Sequence, residues 1–499
     1  MPGKYQTNDV MRNRRAGVLL HPTSLPGPLS NGDFGHEAYR FIEFISTCGF
    51  KIWQMLPTGP THADKSPYQC LSAHAGNPLL ISLTWLSDKN WLDVSQLSTP
   101  HNLDNYRIEA LVLAAKEFNS VMDDDWTRRI ETFKHDNSYW LDDFSLFMAI
   151  KEQHDGLPWY MWPVPLRDRL PAALDEARSE LSEAISQVVF EQFVFFTQWH
   201  ELRQYAHEHD VTLFGDMPIF VAHDSADIWS HRNCFLTGKD GELSYVAGVP
   251  PDAFSDTGQR WGNPLYDWEY MQKDEFSWWK ERFKTQLKLF DLIRIDHFRG
   301  LESYWKIPAN EDTAMNGSWT KAPGKEFLAA MFDTFDSLPI IAEDLGLITK
   351  EVIELRKLFN LPGMKILQFA FDGSASNPYL PHNHDHHCVV YTGTHDNDTT
   401  LGWCGSLCEA SKAQLVSYVN CKNEDEASML YSMVQMSLSS VCPLVILPMQ
   451  DILSLDSSHR MNTPGTVEGN WRWRFSWEQI DPALSSTYNN LLSIYDRIH

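Results

Sequence analysis

Short runs of apolar, β-branched and aromatic residues recur along the chain, and most of them end in polar or charged residues. Their length and composition are typical of strands that are buried on both faces. Eight such runs are present, at residues 16–21, 50–57, 211–219, 292–298, 338–345, 364–371, 388–395 and 442–449.

Longer stretches with apolar residues at helical spacing separate most of these runs, for example at residues 37–47, 276–289, 325–335 and 424–440. Buried strands that alternate with helices indicate a parallel sheet covered on both faces. Eight such units predict an α/β fold of the (β/α)8 TIM barrel type. The rival is a doubly wound open sheet, which usually carries a glycine-rich phosphate turn after its first strand, and this chain has none there.

The spacing of the runs is uneven, and it predicts two insertions. About 150 residues separate the second run from the third, and residues 88–150 and 174–209 of that gap have mostly helical periodicity. We therefore predict one catalytic barrel over residues 1–499, with an inserted helical subdomain at about 58–210. A second insertion, at about 223–275, is rich in Gly, Pro, Asp and aromatic residues and predicts an ordered, lid-like loop.

Charge and cysteine usage narrow the class of protein. The formal net charge of −25 disfavours nucleic acid and anionic membranes as partners. The N-terminal residues lack the apolar core of a signal peptide, and no run of about 18 apolar residues is present. Eight scattered cysteines do not form a disulfide scaffold, so we expect free thiols and a cytoplasmic enzyme. Cys404 and Cys408 lie one helical turn apart without a second pair nearby, and we expect no zinc there.

The residues that end the runs carry the candidate chemistry, because active sites of barrels form at the carboxyl ends of the strands. One rim collects several carboxylates, an arginine and at least three histidines. The ends are His21 in the first run, Asp216 in the third, Arg294, Asp296 and His297 in the fourth, Glu343 and Asp344 in the fifth, and His395, Asp396 and Asn397 in the seventh.

A purely structural role for such residues is capping of the helix that follows each strand, and Asp344 or Asn397 fits that role. Capping does not explain Arg294, His297, or Glu343 inside an apolar strand. Three carboxylates held close together have pKa values that move apart, which provides the separate acid and nucleophile that reaction at a sugar carbon requires.

A divalent metal site is the chemical alternative, since Asp, Glu and His at strand ends can hold a metal ion for hydrolysis. The motif strands contain neither HxH nor HExxH. His384, His386 and His387 form a clump before the seventh run, and histidines in such loops are usually solvated. We therefore expect no metal and no organic cofactor.

The motifs resemble a known family. RIDH at 294–297, AEDLG at 342–346 and THDN at 394–397 resemble the active-site strands of the α-amylase clan. More narrowly, the chain is similar to the 4-α-glucanotransferases called amylomaltases or disproportionating enzymes, in glycoside hydrolase family 77. The resemblance extends from about residue 15 to 475. Its further motifs are GVLLHPTSLPGP (17–28), SPYQ (66–69), AGNPLL (75–80), GDMPIFVAHDSADIW (215–229), VAGVPPDAFSDTGQRWGNPLYDW (246–268), GMKILQFAFD (363–372), NTPGT (462–466) and NWRWR (470–474).

The resemblance implies roles for individual residues. Asp296 would be the nucleophile, Arg294 would hold it ionised and oriented, and Glu343 would be the acid and base. Asp396 would bind ring hydroxyls and distort the sugar. The other substrate-binding positions that the resemblance implies are His297, His395, Tyr68, Ser66, Asp252, Phe254, Gln259, Trp261 and Asn462.

Three places depart from the family pattern. His74 stands where an aromatic residue such as Phe is expected, and Ala253 stands where the lid often has a larger residue. Residues 318–320, Ser-Trp-Thr, replace a more basic, apolar stretch. These changes bear on the preferred length of glucan rather than on the chemistry.

The function that the resemblance implies is retaining transfer of an α-1,4-glucan segment to the 4-hydroxyl of another glucan or of glucose. An α-glucan hydrolase of the same clan shares the carboxylates and is the alternative. A catalytically inactive carbohydrate-binding protein is the third interpretation, and the presence of all three carboxylates with Arg294 argues against it.

Overall fold

The computed structural model describes residues 11–97, 103–251, 255–466 and 468–498 of the chain. The strands in these residues are β1 Arg15–Leu19, β2 Ile52–Gln54, β3 Thr212–Met217, β4 Tyr245–Val249, β5 Gln259–Arg260, β6 Leu292–Ile295, β7 Ser303–Pro308, β8 Ser318–Lys321, β9 Ile340–Ala342, β10 Gly363–Ile366, β11 Cys388–Tyr391 and β12 Leu444–Pro448.

Eight of these strands form one parallel sheet in the order β10-β11-β12-β1-β2-β3-β6-β9. The two ends of the sheet meet where the N–H of Ala342 donates to the carbonyl of Pro362, at 2.9 Å. This arrangement confirms the predicted TIM barrel, and each predicted run contains one barrel strand. Alternate residues such as Phe214, Ile341 and Ile446 form a separate apolar cluster that fills the barrel.

Gly17 shows how closely the barrel is packed. A Cβ at this position in β1 would lie 2.7 Å from side-chain atoms of both Ile446 and Ile52. Any larger residue would force the neighbouring strands apart, so the close strand contact requires glycine here.

The helices surround the barrel and form the insertions. They are α1 His36–Thr47, α2 Leu83–Asp88, α3 Leu103–Val121, α4 Asp124–Gln153, α5 Val164–Arg167, α6 Pro171–Glu180, α7 Ser182–Glu208, α8 Ala226–Ser230, α9 Trp268–Lys273, α10 Ser277–Leu289, α11 Gly324–Thr334, α12 Lys350–Leu358, α13 Thr400–Ser406, α14 Glu409–Val419, α15 Glu426–Ser439, α16 Met449–Ile452 and α17 Leu484–Ile494. Single 3-10 turns lie at Pro22–Ser24, Pro78–Leu80, Val94–Gln96, Trp159–Met161, Arg232–Cys234, Phe298–Leu301, Leu367–Phe369, Pro381–Asn383, Ser457–His459 and Trp477–Gln479. Within the described residues, none of the helices has both the length and the apolar character needed to cross a bilayer.

The insertion between β2 and β3 consists mainly of α2 to α7. Two buried glutamines attach α7 to the segment that follows β2. Gln192 exchanges hydrogen bonds of 2.8 and 2.9 Å with the backbone of Gly76, and Gln198 does the same with Ser82 at 2.8 and 3.2 Å. These bonds satisfy both groups of each amide, which explains two polar residues on an otherwise apolar helix face. The division of the chain into a barrel and a separate helical subdomain stays a prediction.

The second insertion contains strands that the sequence pattern did not predict. β4 pairs with β5 and with β7, and β7 pairs with β8, in a four-stranded antiparallel sheet of order β5-β4-β7-β8. Two of the four strands of this sheet, β7 and β8, lie outside the insertion, between β6 and α11. Asp252, Ala253 and Phe254 lie outside the described residues, so the lid role predicted for them stays a prediction.

The expectation that all cysteines are free thiols is wrong for one pair. Cys388 and Cys442 form a disulfide, with their Cα atoms 5.6 Å apart. They lie at and just before the first residues of the neighbouring strands β11 and β12, and 54 residues of sequence separate them. The contact follows from strand order, which cysteine spacing does not reveal. The other six cysteines are free.

Candidate functional site

A broad groove opens at the carboxyl ends of the barrel strands, with about 3050 Å³ of space that includes its open mouth. The sequence-predicted residues that line it are Ser66, Tyr68, Gln259, Trp261, Arg294, Asp296, His297, Glu343, Asp396 and Asn462. His395 lies directly behind Tyr68, with which its ring stacks at 5.3 Å. Asp252 and Phe254 lie outside the described residues. The structure thus brings ten of the predicted site residues to one groove and places His395 behind it.

Arg294 lies at the centre of a buried charge network. The register of β3 and β6 pairs Asp216 with Arg294, and the guanidinium donates to both carboxylate oxygens of Asp216, at 2.9 and 2.8 Å. Its Nη2 also donates to Oδ1 of Asp296 at 2.8 Å. The hydroxyl of Tyr68 donates to Asp216 at 2.6 Å and accepts from Arg294 at 3.2 Å. A bidentate pair of this kind fixes the guanidinium plane, and the guanidinium in turn orients Asp296.

Glu343 reaches the same place from β9. Its N–H donates to the carbonyl of Ile295 at 3.0 Å, and its Oε2 accepts from the backbone N–H of His297 at 2.6 Å. His297 has a left-handed backbone, with φ of 49°, at the turn that follows Asp296. That turn aims the N–H of His297 at the Glu343 carboxylate, so the segments that carry Asp296 and Glu343 are joined at this point.

Asp296 and Glu343 differ in how close a positive charge lies to each carboxylate. Burial raises the pKa of Glu343 to about 7, although Arg294 and the N–H of His297 oppose the rise. Burial also raises the pKa of Asp296 well above its ordinary value, and Arg294 opposes that rise. Asp296 contacts the guanidinium, whereas Glu343 has no ion pair in the described part of the chain. When Asp296 and Glu343 share one proton, the contact of Arg294 with Asp296 favours the anion at Asp296 and the proton at Glu343.

Asp396 follows β11, lines the same groove and is half-exposed. The amide of Asn462 donates to its Oδ1 at 2.6 Å, and Nε2 of His395 lies 3.3 Å from its Oδ2. Burial would raise the pKa of Asp396, but His395 and Asn462 outweigh that effect and lower the pKa below its ordinary value. Asp396 is therefore an anion that can accept hydrogen bonds from hydroxyl groups of a ligand.

His297 and Trp261 form a corner beside Glu343. Their rings meet edge to face at 4.8 Å, and the indole N–H of Trp261 donates to Gln259 at 3.1 Å. Burial lowers the pKa of His297 to about 3, so the ring is neutral. Within the described residues, the Nε2 of this ring is buried without a hydrogen-bond partner. A neutral imidazole in this position can bind a hydroxyl of a ligand in the groove.

Sequence reasoning missed the partners of the predicted residues. The sequence shows Asp216 only as a strand end, yet this residue anchors Arg294 and Tyr68. Nothing in the sequence singles out Trp471, whose ring lies 5.9 Å from that of Tyr68. Asp344, by contrast, is structural because it accepts from the N–H of Met364 at 2.8 Å and pairs with Arg356 at 3.0 Å. The position of Asp216 at the end of a predicted strand is the signal in the sequence that points to it.

The described residues contain no group of three or more His, Cys, Asp and Glu side chains placed to hold a metal ion. The histidine clump contacts main-chain carbonyls instead. His384 contacts the carbonyl of Tyr379 and His387 that of Asn360, both at 2.9 Å, and His386 contacts that of Val441 at 3.1 Å. These contacts give the three rings structural roles.

The pair of Asp216 with Arg294 provides a test of the network. We expect Asp216→Asn to lower kcat/KM about 100-fold, because the amide cannot hold the guanidinium through both oxygens and Asp296 loses its orientation. We also expect a loss of about 3 kcal/mol in the free energy of unfolding, since a buried ion pair is broken on one side.

The matched control is Asp451→Asn. Asp451 is another buried carboxylate at this end of the barrel, and it accepts from Thr392 and Thr400 at 2.6 Å without lining the groove. Urea titration should show a loss of stability in both variants, whereas steady-state kinetics should show a large fall only for Asp216→Asn. Equal falls in kcat/KM would contradict a positioning role for Asp216.

Comparison with known proteins shows which family the chain belongs to. A family model described as 4-alpha-glucanotransferase matches residues 20–480. The 4-alpha-glucanotransferase of Thermus thermophilus is 45% identical over 498 residues, which cover 97% of this chain and 99% of that protein. The chain belongs to the 4-alpha-glucanotransferase family. The chloroplastic/amyloplastic 4-alpha-glucanotransferase of Solanum tuberosum is 42% identical over 99% of this chain and 88% of its own length.

Solved structures agree with this assignment of the 4-alpha-glucanotransferase family. The amylomaltase from Streptococcus agalactiae, solved in complex with acarbose, superposes with a TM-score of 0.93 at 36% identity and covers 97% of this chain. The amylomaltase from Corynebacterium glutamicum shares the fold, with a TM-score of 0.78 at 16% identity. The chain is therefore an enzyme of the transferase class, and the findings favour transfer over hydrolysis.

Proposed function

We propose that this 4-alpha-glucanotransferase moves α-1,4-glucan segments from a donor glucan to an acceptor by a double displacement. In this reaction Asp296 is the nucleophile and Glu343 is the acid and base. One observation carries the assignment. Arg294 contacts Asp296 at 2.8 Å, whereas Glu343 receives only a backbone N–H, from His297, so one carboxyl is held as the anion and the other can carry the proton.

The first step breaks the glycosidic bond. Oδ of Asp296 forms a bond to C1 of the donor sugar while the bond from C1 to the leaving 4-oxygen breaks. Glu343 gives its proton to that oxygen, and the shortened glucan leaves with a free 4-hydroxyl. The product on the enzyme is a β-linked glucosyl ester of Asp296, and Glu343 is then a carboxylate.

The second step reverses the first with a new acceptor. The 4-hydroxyl of an incoming glucan or of glucose attacks C1, and the bond between C1 and Asp296 breaks. Glu343 takes the proton of that hydroxyl and returns to its starting state. Two inversions at C1 give net retention of the α configuration, and the step needs neither a metal nor an organic cofactor.

The donor sugar would lie between Asp396 and Tyr68. The anion of Asp396, fixed by Asn462 at 2.6 Å, would bind ring hydroxyls and favour a distorted ring. The face of Tyr68, stacked on His395, would support the apolar face of the same sugar. Ser66, whose Oγ accepts from the N–H of Tyr68 at 3.4 Å, holds this loop.

Transfer requires that an acceptor, not water, reaches the covalent intermediate. Trp261 and Gln259 line the groove beside His297 and supply apolar cover with one polar group. Asp252 and Phe254, which the family motif includes, would complete this cover. We propose α-1,4-glucans as the substrates and the cytoplasm as the compartment. Six free thiols support this compartment, whereas the Cys388–Cys442 disulfide is of a kind that is rare there.

The pKa of Glu343 sets an expected pH dependence. Glu343 must be protonated in the first step, and its pKa is raised to about 7, so we expect kcat/KM to fall about tenfold per pH unit above roughly pH 7. The fall on the acid side reports protonation of Asp296. Initial rates with maltotriose from about pH 5 to about pH 9 measure both limbs.

The control is α-maltosyl fluoride, whose leaving group needs no proton. With this donor and a saturating acceptor, the alkaline limb of kcat/KM should disappear. A limb that persists unchanged with the fluoride would show that a group other than Glu343 controls it.

The function itself is tested by the products formed from pure maltotriose over time. We expect a ladder of glucans both longer and shorter than maltotriose, with no net gain in reducing ends. Release of glucose and maltose without any longer glucan would replace transfer by hydrolysis. Loss of the ladder in Asp296→Asn links the activity to this groove.

A further inference from the structure

Trp319 lines the groove, and the mechanism above gives it no role. It lies on β8, in the antiparallel sheet, and 40% of the residue is exposed. Single exposed apolar residues are common on protein surfaces. Trp319 differs from these because it lines the groove together with other apolar residues, namely Val249, Pro250 and Leu347, of which Leu347 is 57% exposed.

The ring of Trp319 is held in place by two neighbours. The guanidinium carbon of Arg299 lies 3.7 Å from the ring centroid, and Trp305 meets the ring at 5.1 Å and 63°. Trp305 is itself anchored, because its indole N–H donates to the carbonyl of Ala314 at 2.8 Å. The indole of Trp319 is therefore a fixed platform rather than a mobile surface side chain, and little entropy is lost when a ligand stacks on it.

Arg299 also connects this platform to the strand that carries Glu343. Its Nη1 donates to the carbonyl of Leu347, in the segment that follows Glu343, and its Nη2 donates to Ser303 at 3.4 Å. Glu343 protonates the leaving oxygen, so the side of the groove next to Glu343 is the acceptor side. Asp396 and Asn462 form the donor side. The contacts of Arg299 place Trp319 on the acceptor side.

We propose that Trp319 is a binding platform for an acceptor glucosyl unit beyond the one that reacts, and that Arg299 is its positioning residue. The apolar face of a glucose ring stacks on an indole, and the hydroxyl rim remains in water. The platform would favour acceptors of several glucosyl units over free glucose. This inference rests on the proposed transfer reaction, because it assigns a length preference to the acceptor of that reaction.

The test compares acceptors of different length with one donor, α-maltosyl fluoride, at a fixed concentration. In Trp319→Ala we expect the KM for maltotetraose as acceptor to rise about tenfold, with kcat unchanged and with kinetics for glucose within about twofold of wild type. Trp319→Phe should restore most of the affinity. The matched control is Tyr431→Ala, since Tyr431 lies on α15, is 50% exposed and is not among the groove-lining residues.

Two outcomes would overturn the proposal. One is an equal loss for glucose and for maltotetraose, which would indicate a structural role. The other is no change with either acceptor. A wild-type enzyme that releases maltose from the fluoride and transfers nothing to glucose would instead contradict the proposed function.

Arg299→Met tests the positioning residue. We expect a rise in KM for maltotetraose in the same direction as for Trp319→Ala, and a double variant no worse than Trp319→Ala alone, because both changes remove one platform. Additive effects, or a fall in kcat with glucose as acceptor, would show that Arg299 acts through the segment after Glu343 and not through Trp319.

Discussion

Asp296→Asn is expected to lower the rate of glucan transfer by at least about 10⁴-fold, which corresponds to a barrier higher by about 5 kcal/mol. The amide is isosteric and keeps an oxygen that can accept from Nη2 of Arg294, so the fold and the groove should persist. It is a poor nucleophile, and no covalent intermediate can form through it. Initial rates of maltotriose disproportionation, with folding checked by thermal unfolding, measure the effect.

Chemical rescue separates the nucleophile from a merely structural residue. In Asp296→Ala the side chain is removed, and azide can attack C1 of α-maltosyl fluoride from the face that Asp296 occupied. Fluoride leaves, and the product is β-maltosyl azide, with inverted configuration. Formation of the α azide, or no azide product together with residual transfer, would remove the assignment of Asp296 as nucleophile.

The barrel is predictable from sequence because each of its strands is buried on both faces. In β12, Leu444–Pro448, all five residues are buried, and the run of apolar residues is visible without a structure. The antiparallel sheet is not predictable in this way. β5 has two residues and β8 is largely exposed, so neither gives a periodic pattern, and their stability comes from pairing with β4 and β7.

The candidate site, too, is predictable from the sequence only in part. The position of Asp296, Glu343 and Asp396 at strand ends is enough to bring them to one rim, because parallel strands end on the same side of a barrel. Which residue neutralises which depends on strand register. Asp216 faces Arg294 because β3 and β6 pair at these positions, and no spacing in the sequence encodes that register.

Backbone shape is the other part that the sequence leaves open. The left-handed turn at His297 directs an N–H to Glu343, and the presence of a histidine in the sequence does not predict a positive φ.

The surroundings of His74, one of the departures from the family pattern, also become visible only in the structure. His74 is buried, stacks on Trp140 of α4, contacts Thr285 of α10 at 2.8 Å and does not line the groove, so its effect is on packing between these two helices.

Glu343→Gln is expected to give a different pattern from Asp296→Asn, because it removes a proton donor and leaves the nucleophile intact. With maltotriose the transfer rate should fall by at least about 10³-fold, since the leaving oxygen is no longer protonated. With α-maltosyl fluoride the first step should remain fast, because fluoride leaves without a proton. The second step lacks its base, so the maltosyl ester of Asp296 should accumulate and be detectable by mass spectrometry of the intact protein.

Azide completes the argument, since an anionic acceptor needs no general base. Added to Glu343→Gln with the fluoride donor, azide should restore turnover and give α-maltosyl azide, the product of two inversions, whereas Asp296→Ala should give the β azide. The two variants thus predict opposite configurations from the same donor and the same anion. This difference follows from the position of Asp296 against Arg294 and of Glu343 against the N–H of His297. A single configuration from both variants would mean that one carboxylate performs both roles.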